Sequence, residues 1–72
     1  MKTLIEVKDF AINNLVQILT DEGNVPVAVL EDIVIANYKE HRIDLMKFKD
    51  GKDLVTEIIL LAYAEMLLGD EE

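Results

Sequence analysis

Between Leu54 and Leu68 the sequence reads LVTEIILLAYAEMLL, and only Thr56, Glu57 and Glu65 in it are polar. No other segment constrains the fold as strongly. A helix that is apolar nearly all round must be buried nearly all round. At the roughly 8–10 Å spacing of packed helices, covering it takes about four neighbours. The chain has 72 residues, enough for two other helices. A second copy is the simplest source of the rest, and two-fold dimers are the commonest oligomers. The expectation is a homodimer with a shared core and the third helix near the two-fold axis. Its interface would include Leu54, Ile58, Leu61, Tyr63 and Leu68, with Phe10 and Ile35 as secondary candidates.

Chain length points the same way. A domain of this size buries only about 60% of the surface its unfolded chain exposes, so it is marginal alone. Disulfides, metals or association usually supply what is missing. The chain has no cysteine and one histidine, His41. Disulfides and thiolate metal sites are therefore excluded, and association remains. The longest uninterrupted apolar run, Ile58 to Ala64, is seven residues, far short of the roughly 20 a membrane span needs. The opening MKTLIEVKD is interrupted by Glu6, Lys8 and Asp9 and does not read as an export signal. The expected location is cytoplasmic.

The pattern predicts one domain over residues 1–72, mainly α: three helices, with room for one or two short strands. The first helix runs from about Leu4 to Thr20. Thr3 and Glu6 have capping-box spacing, and Leu4, Val7, Ala11, Leu15, Ile18 and Leu19 project onto one face. Lys8 falls within that face and Phe10 opposite it. Either the segment before Asp9 is extended and Asp9 caps a shorter helix, or Lys8 snorkels and Phe10 meets a partner; the long helix is preferred. Gly23 suits a C-cap, and Pro26 the first position of a second helix reaching Glu40. Val29, Leu30, Ile33, Val34 and Tyr38 form its inward stripe, and Ile35 projects outward with Glu31 and Asp32. VPVAVL could alternatively be a short strand. Residues 42–49 have no clean period and read as a loop, a helical turn or a poor edge strand. Asp50-Gly51 signals a turn, Asp53 a third N-cap, and Gly69 a position just past the helix end.

Chemistry finds little footing, and the expectation is no enzyme, no catalytic residue, no metal and no cofactor. Asp50-Gly51-Lys52-Asp53 fails as a calcium loop, because Met46 and Phe48 would stand where oxygen ligands are needed. Glu31 and Asp32 point about 100° apart on a helix and do not converge. Serine and cysteine are absent, which removes the usual nucleophiles. The layout of the first two helices resembles a helix-turn-helix. The second helix, however, would bring Pro26, Val27, Val29, Glu31 and Asp32 to DNA instead of basic groups.

Charge is the informative feature. The net charge is -8: residues 1–38 carry -4, residues 39–52 carry +2, and residues 53–72 carry -6. Such a chain repels nucleic acid and anionic lipid and favours basic partners. A dimer would carry twice -8, the same order as the roughly fifteen charges on 25 Å of duplex DNA. In size, acidity and lack of catalytic residues the chain resembles the small early proteins with which phages inactivate host factors. Some of those mimic DNA and block histone-like proteins. The resemblance implies an acidic protein that binds and inhibits a basic, nucleic-acid-binding protein. The residues expected to meet it are Asp21, Glu22, Glu31, Asp32, Asp70, Glu71 and Glu72. The competing expectation is a scaffold or antitoxin-like subunit working through its apolar third helix.

Overall fold

A computed structural model of the chain describes residues 3–69. They form three α-helices and no strand: α1 (Leu4–Glu22), α2 (Val27–Glu40) and α3 (Gly51–Gly69). α1 starts where the capping box predicts. The Glu6 amide donates to Thr3 Oγ1 at 3.1 Å, and the Thr3 amide donates to Glu6 Oε1 at 3.3 Å. The long form of the helix is therefore the observed one, and it continues past Thr20 to Glu22. Gly23 ends it with φ +83°, its amide donating to the Leu19 carbonyl at 2.9 Å.

Pro26 stands one place earlier than expected, as the N-cap of α2, with its carbonyl accepting from the Leu30 amide at 3.2 Å. VPVAVL is thus the entry to a helix. At the other end the Ile43 amide reaches the Tyr38 carbonyl and the Arg42 amide the Lys39 carbonyl, both at 2.9 Å. This is a Schellman termination, with Arg42 at φ +63° where glycine is usual. The ambiguous 42–49 stretch resolves as a single 3-10 turn, Leu45–Lys47. The Asp44 carboxylate accepts the Met46 amide at 3.1 Å and caps it. The turn seats Leu45 fully in the core.

α3 begins earlier than Asp53. The Leu54 amide already donates to the Asp50 carbonyl at 3.0 Å, and Asp53 lies in the first turn, where a carboxylate suits the positive end of the helix. Gly69 is the last residue of the helix, not the one after it.

The contacts fix the packing. Lys8 meets Glu57, Leu4 lies with Gly51 and Leu54, and Leu19 lies with Tyr63 and Met66. α1 and α3 therefore run parallel. Tyr38, near the end of α2, donates its hydroxyl to the Leu4 carbonyl at 3.4 Å, so α2 runs against both. The core holds Val7, Ala11, Ile12, Leu15 and Leu19 from α1, Leu30, Val34 and Tyr38 from α2, and Val55, Ile58, Ile59 and Ala62 from α3. Val29 and Leu4, expected inward, are exposed, being in or near the first turns of their helices. Between α1 and α2, Asn14 donates to the buried Asn37 at 3.3 Å, while Asn37 Nδ2 has no partner among the described residues.

Gly51 is buried at the crossing of the 3-10 turn and α3, where a Cβ would run into the Leu45 carbonyl oxygen. Gly23 has open space but a positive φ. Urea unfolding should report losses of about 1–3 kcal/mol for Gly51→Ala through overpacking, and of similar size for Gly23→Ala through backbone strain alone. No loss at Gly51 would contradict the tight crossing.

Candidate interaction surfaces

Two neighbours cover one side of α3. Val55, Ile58, Ile59 and Ala62 face them and are buried. The uncovered side divides along its length. The first half carries Asp53, Thr56 and Glu57; the second carries Leu60, Leu61, Ala64, Leu67 and Leu68. These leucines are 64%, 38%, 63% and 65% exposed, respectively. The 3–4 spacing of Leu61, Ala64 and Leu68, and of Leu60, Ala64 and Leu67, is that of a helix–helix seam. Ala64 at its centre permits close approach.

Of the residues expected at a dimer interface, the structure leaves two fully on this stripe, Leu61 and Leu68. Ile58 is wholly buried within the single chain, because it points between α1 and α2, and its burial needs no second copy. Leu54 and Tyr63 are partly buried against the same core. Phe10 is exposed and meets His41 edge-on, ring centroids 5.5 Å apart. Ile35, expected to point into water, is half-buried beside Val55 in the α2–α3 groove. Leu60 and Leu67 were not anticipated. A 100° projection of α3 from Ile58 finds them, once one knows which side the other helices take.

The stripe starts beyond an ion pair. Lys8 Nζ lies 2.7 Å from Glu57 Oε2, which explains a lysine on the apolar side of α1: its stem crosses the core edge and its charge reaches α3. Both side chains are solvent-exposed enough that the pair contributes about 0–1 kcal/mol.

Charge is sorted along the bundle. Topology gathers the start of α1, the end of α2 and the start of α3 at one end. Among the described residues, every Lys and Arg lies in that half: Lys8, Lys39, Arg42, Lys47, Lys49 and Lys52. The opposite end carries Asp21, Glu22 and Glu65 with no base, while Glu31 and Asp32 stand near mid-height and share a groove with Lys52. Two of the acids expected to meet a partner, Asp21 and Glu22, thus share the end that carries the leucine stripe. Asp21 accepts from Gln17 Nε2 at 3.2 Å; Asp21 and Glu22 stand at the negative end of α1, where acids are unfavourable by about 0.3–1 kcal/mol each. Asp70, Glu71 and Glu72 lie outside the described residues.

His41 and Tyr38 have structural roles. His41 caps α2, its Nδ1 2.9 Å from the Asn37 carbonyl. Burial, and next the negative charges of Asp9 and Glu57, push the Tyr38 hydroxyl above its usual range, so it remains a donor. Among the described residues no three His, Asp or Glu side chains are grouped to hold a metal ion, and no helix is long and apolar enough to cross a membrane. Two crevices, about 430 and 250 Å³ and one at each end, bring no carboxylate pair or histidine together. No family model matches the sequence, and no curated protein or solved structure matches the chain.

Ile58 belongs to the single-chain core, so Ile58→Ala should cost about 2–5 kcal/mol in urea unfolding at every protein concentration. A cost that vanishes on dilution would instead assign Ile58 to an interface between copies.

Proposed function

We propose that the chain is an interaction protein, not an enzyme: a homodimer joined through Leu60–Leu68 that offers an acidic surface to a basic, nucleic-acid-binding protein and competes for its phosphate-binding face. The observation that carries the reading is the exposed leucine stripe set in the base-free half of the bundle. Pairing two stripes brings two such halves together. The bases then lie toward the outer ends, and an acidic band surrounds the middle of the dimer.

Magnitudes decide whether like-charged copies can associate. Burying the exposed parts of the four leucines on both copies is worth about 7–14 kcal/mol before costs. Lost freedom on association opposes it by about 4–15 kcal/mol. Two charges of -8 with centres about 20 Å apart would repel by about 13 kcal/mol in salt-free water. A Debye length of about 8 Å at physiological ionic strength reduces that to about 1 kcal/mol. The dimer is therefore reversible, concentration-dependent and strengthened by salt. The accessible surface supports a missing interface: it is 5180 Å² for a mass of 8.2 kDa, against roughly 4,500 Å² expected of a folded monomer. The elongated outline, 37 × 23 × 18 Å, contributes part of that excess.

A second reading gives the stripe to a different protein, with the chain as a scaffold or antitoxin-like subunit; the same exposed leucines favour it. The double variant Leu60→Glu/Leu68→Glu separates them. Both side chains are exposed, so the helical circular dichroism should persist. The melting temperature of the wild type should rise with protein concentration, and that of the variant should not. A wild-type melting temperature independent of concentration from about 10 µM to 1 mM would move the stripe to the second reading.

A further inference from the structure

Beside the leucine stripe lies a second surface. Ile35 on α2 and Val55 on α3 floor a groove of about 150 Å³, with Met46 from the 3-10 turn closing one side. Glu31 and Asp32 stand at one end of it and Lys52 at the other. The groove is open to solvent and has room for the end of one apolar side chain. Neither Glu31 nor Asp32 makes a side-chain hydrogen bond or ion pair with another described residue. Among the described residues their carboxylates therefore have no partner beside the apolar floor. By helical projection the groove and the stripe are about 150° apart around α3, so a dimer formed through the stripe leaves both grooves open.

We infer that this groove docks a basic segment of the partner protein: one Leu, Met or Phe side chain seated on Ile35, Val55 and Met46, with a Lys or Arg about one helical turn away meeting Glu31 and Asp32. The occupant is fixed by complementarity. The floor takes an apolar group, the carboxylates take a cation, and together they reject nucleic acid and acidic peptides. The inference rests on the basic protein partner proposed above but does not depend on dimerisation. It turns Ile35 from an apolar residue out of place into an anchor site. It also gives Glu31 and Asp32 a role separate from that of Asp21 and Glu22.

The test is selection from a random twelve-residue peptide library on the full chain, followed by titration of the enriched peptides at about 0.1 M salt. The expected peptides share an apolar residue one helical turn from Lys or Arg. They should bind Glu31→Lys/Asp32→Lys at least tenfold more weakly than wild type, and Met46→Glu similarly. They should bind Asp21→Lys/Glu22→Lys, with the same change in net charge, within about threefold of wild type. Amide chemical shifts should move at residues 31–35, 46 and 52–55, not at 60–68. Equal losses in the two charge-reversed variants would mean net charge alone attracts the peptides, and would overturn the docking site. So would enrichment of neutral or acidic peptides, shifts confined to 60–68, or no enrichment. Each variant's helical circular dichroism checks that it is folded. A monomeric wild type would defeat the dimer and leave this result standing.

Discussion

Two helices can cover one side of a third, and the rest of this structure follows from that limit. α3 is apolar on both sides for most of its length. Ile58, Val55 and Ala62 take the side that α1 and α2 can reach. The other side is left to water over its second half. In its first half, Asp53, Thr56 and Glu57 make that exposure harmless, and Glu57 reaches Lys8. In its second half, four leucines surround Ala64 and stay 38–65% exposed. A soluble monomer gains nothing from such a face. Its position also sets what can approach it, because the same half of the bundle carries acids and no base.

The sequence announced the helices wherever local chemistry is strong. Thr3 and Glu6 reciprocally cap α1, Gly23 supplies the positive φ that ends it, and Pro26 marks the entry to α2. It misplaced boundaries wherever tertiary contact overrules a cap. Asp53 looked like an N-cap, but burial of Gly51 against the Leu45 carbonyl starts the helix earlier and turns Asp53 into a first-turn carboxylate. The 42–49 stretch had no period to read, because its structure comes from a left-handed Arg42, the Asp44 cap and a single inward residue, Leu45. The interface was the least legible part. A helix apolar all round has no face of its own, so Ile58 and Leu60 look alike until α1 and α2 choose their side. The Lys8–Glu57 pair, 49 positions apart in the chain, marks that side, but neither residue announces the pairing in sequence.

Charge and packing cooperate. The composition gives -8, but only the up-down-up topology sorts the charge along the bundle, bringing residues 39–52 to the end where α3 begins. Acids at the end of α1 oppose its dipole and weaken the fold slightly. Association through the leucines would turn two one-sided charge distributions into a single acidic middle with bases beyond it. Salt then acts in opposite senses. It relieves repulsion between copies and weakens attraction to a basic partner.

That opposition provides the most direct measurement. Sedimentation equilibrium of the wild-type chain, at about 100 µM and at salt from about 0.01 to 0.5 M, reads the average mass. The account predicts a rise from near 8.2 kDa at the lowest salt toward twice that value as screening sets in. A mass that stays at 8.2 kDa throughout, or that falls as salt increases, would contradict a dimer held by Leu60, Leu61, Leu67 and Leu68 against its own charge.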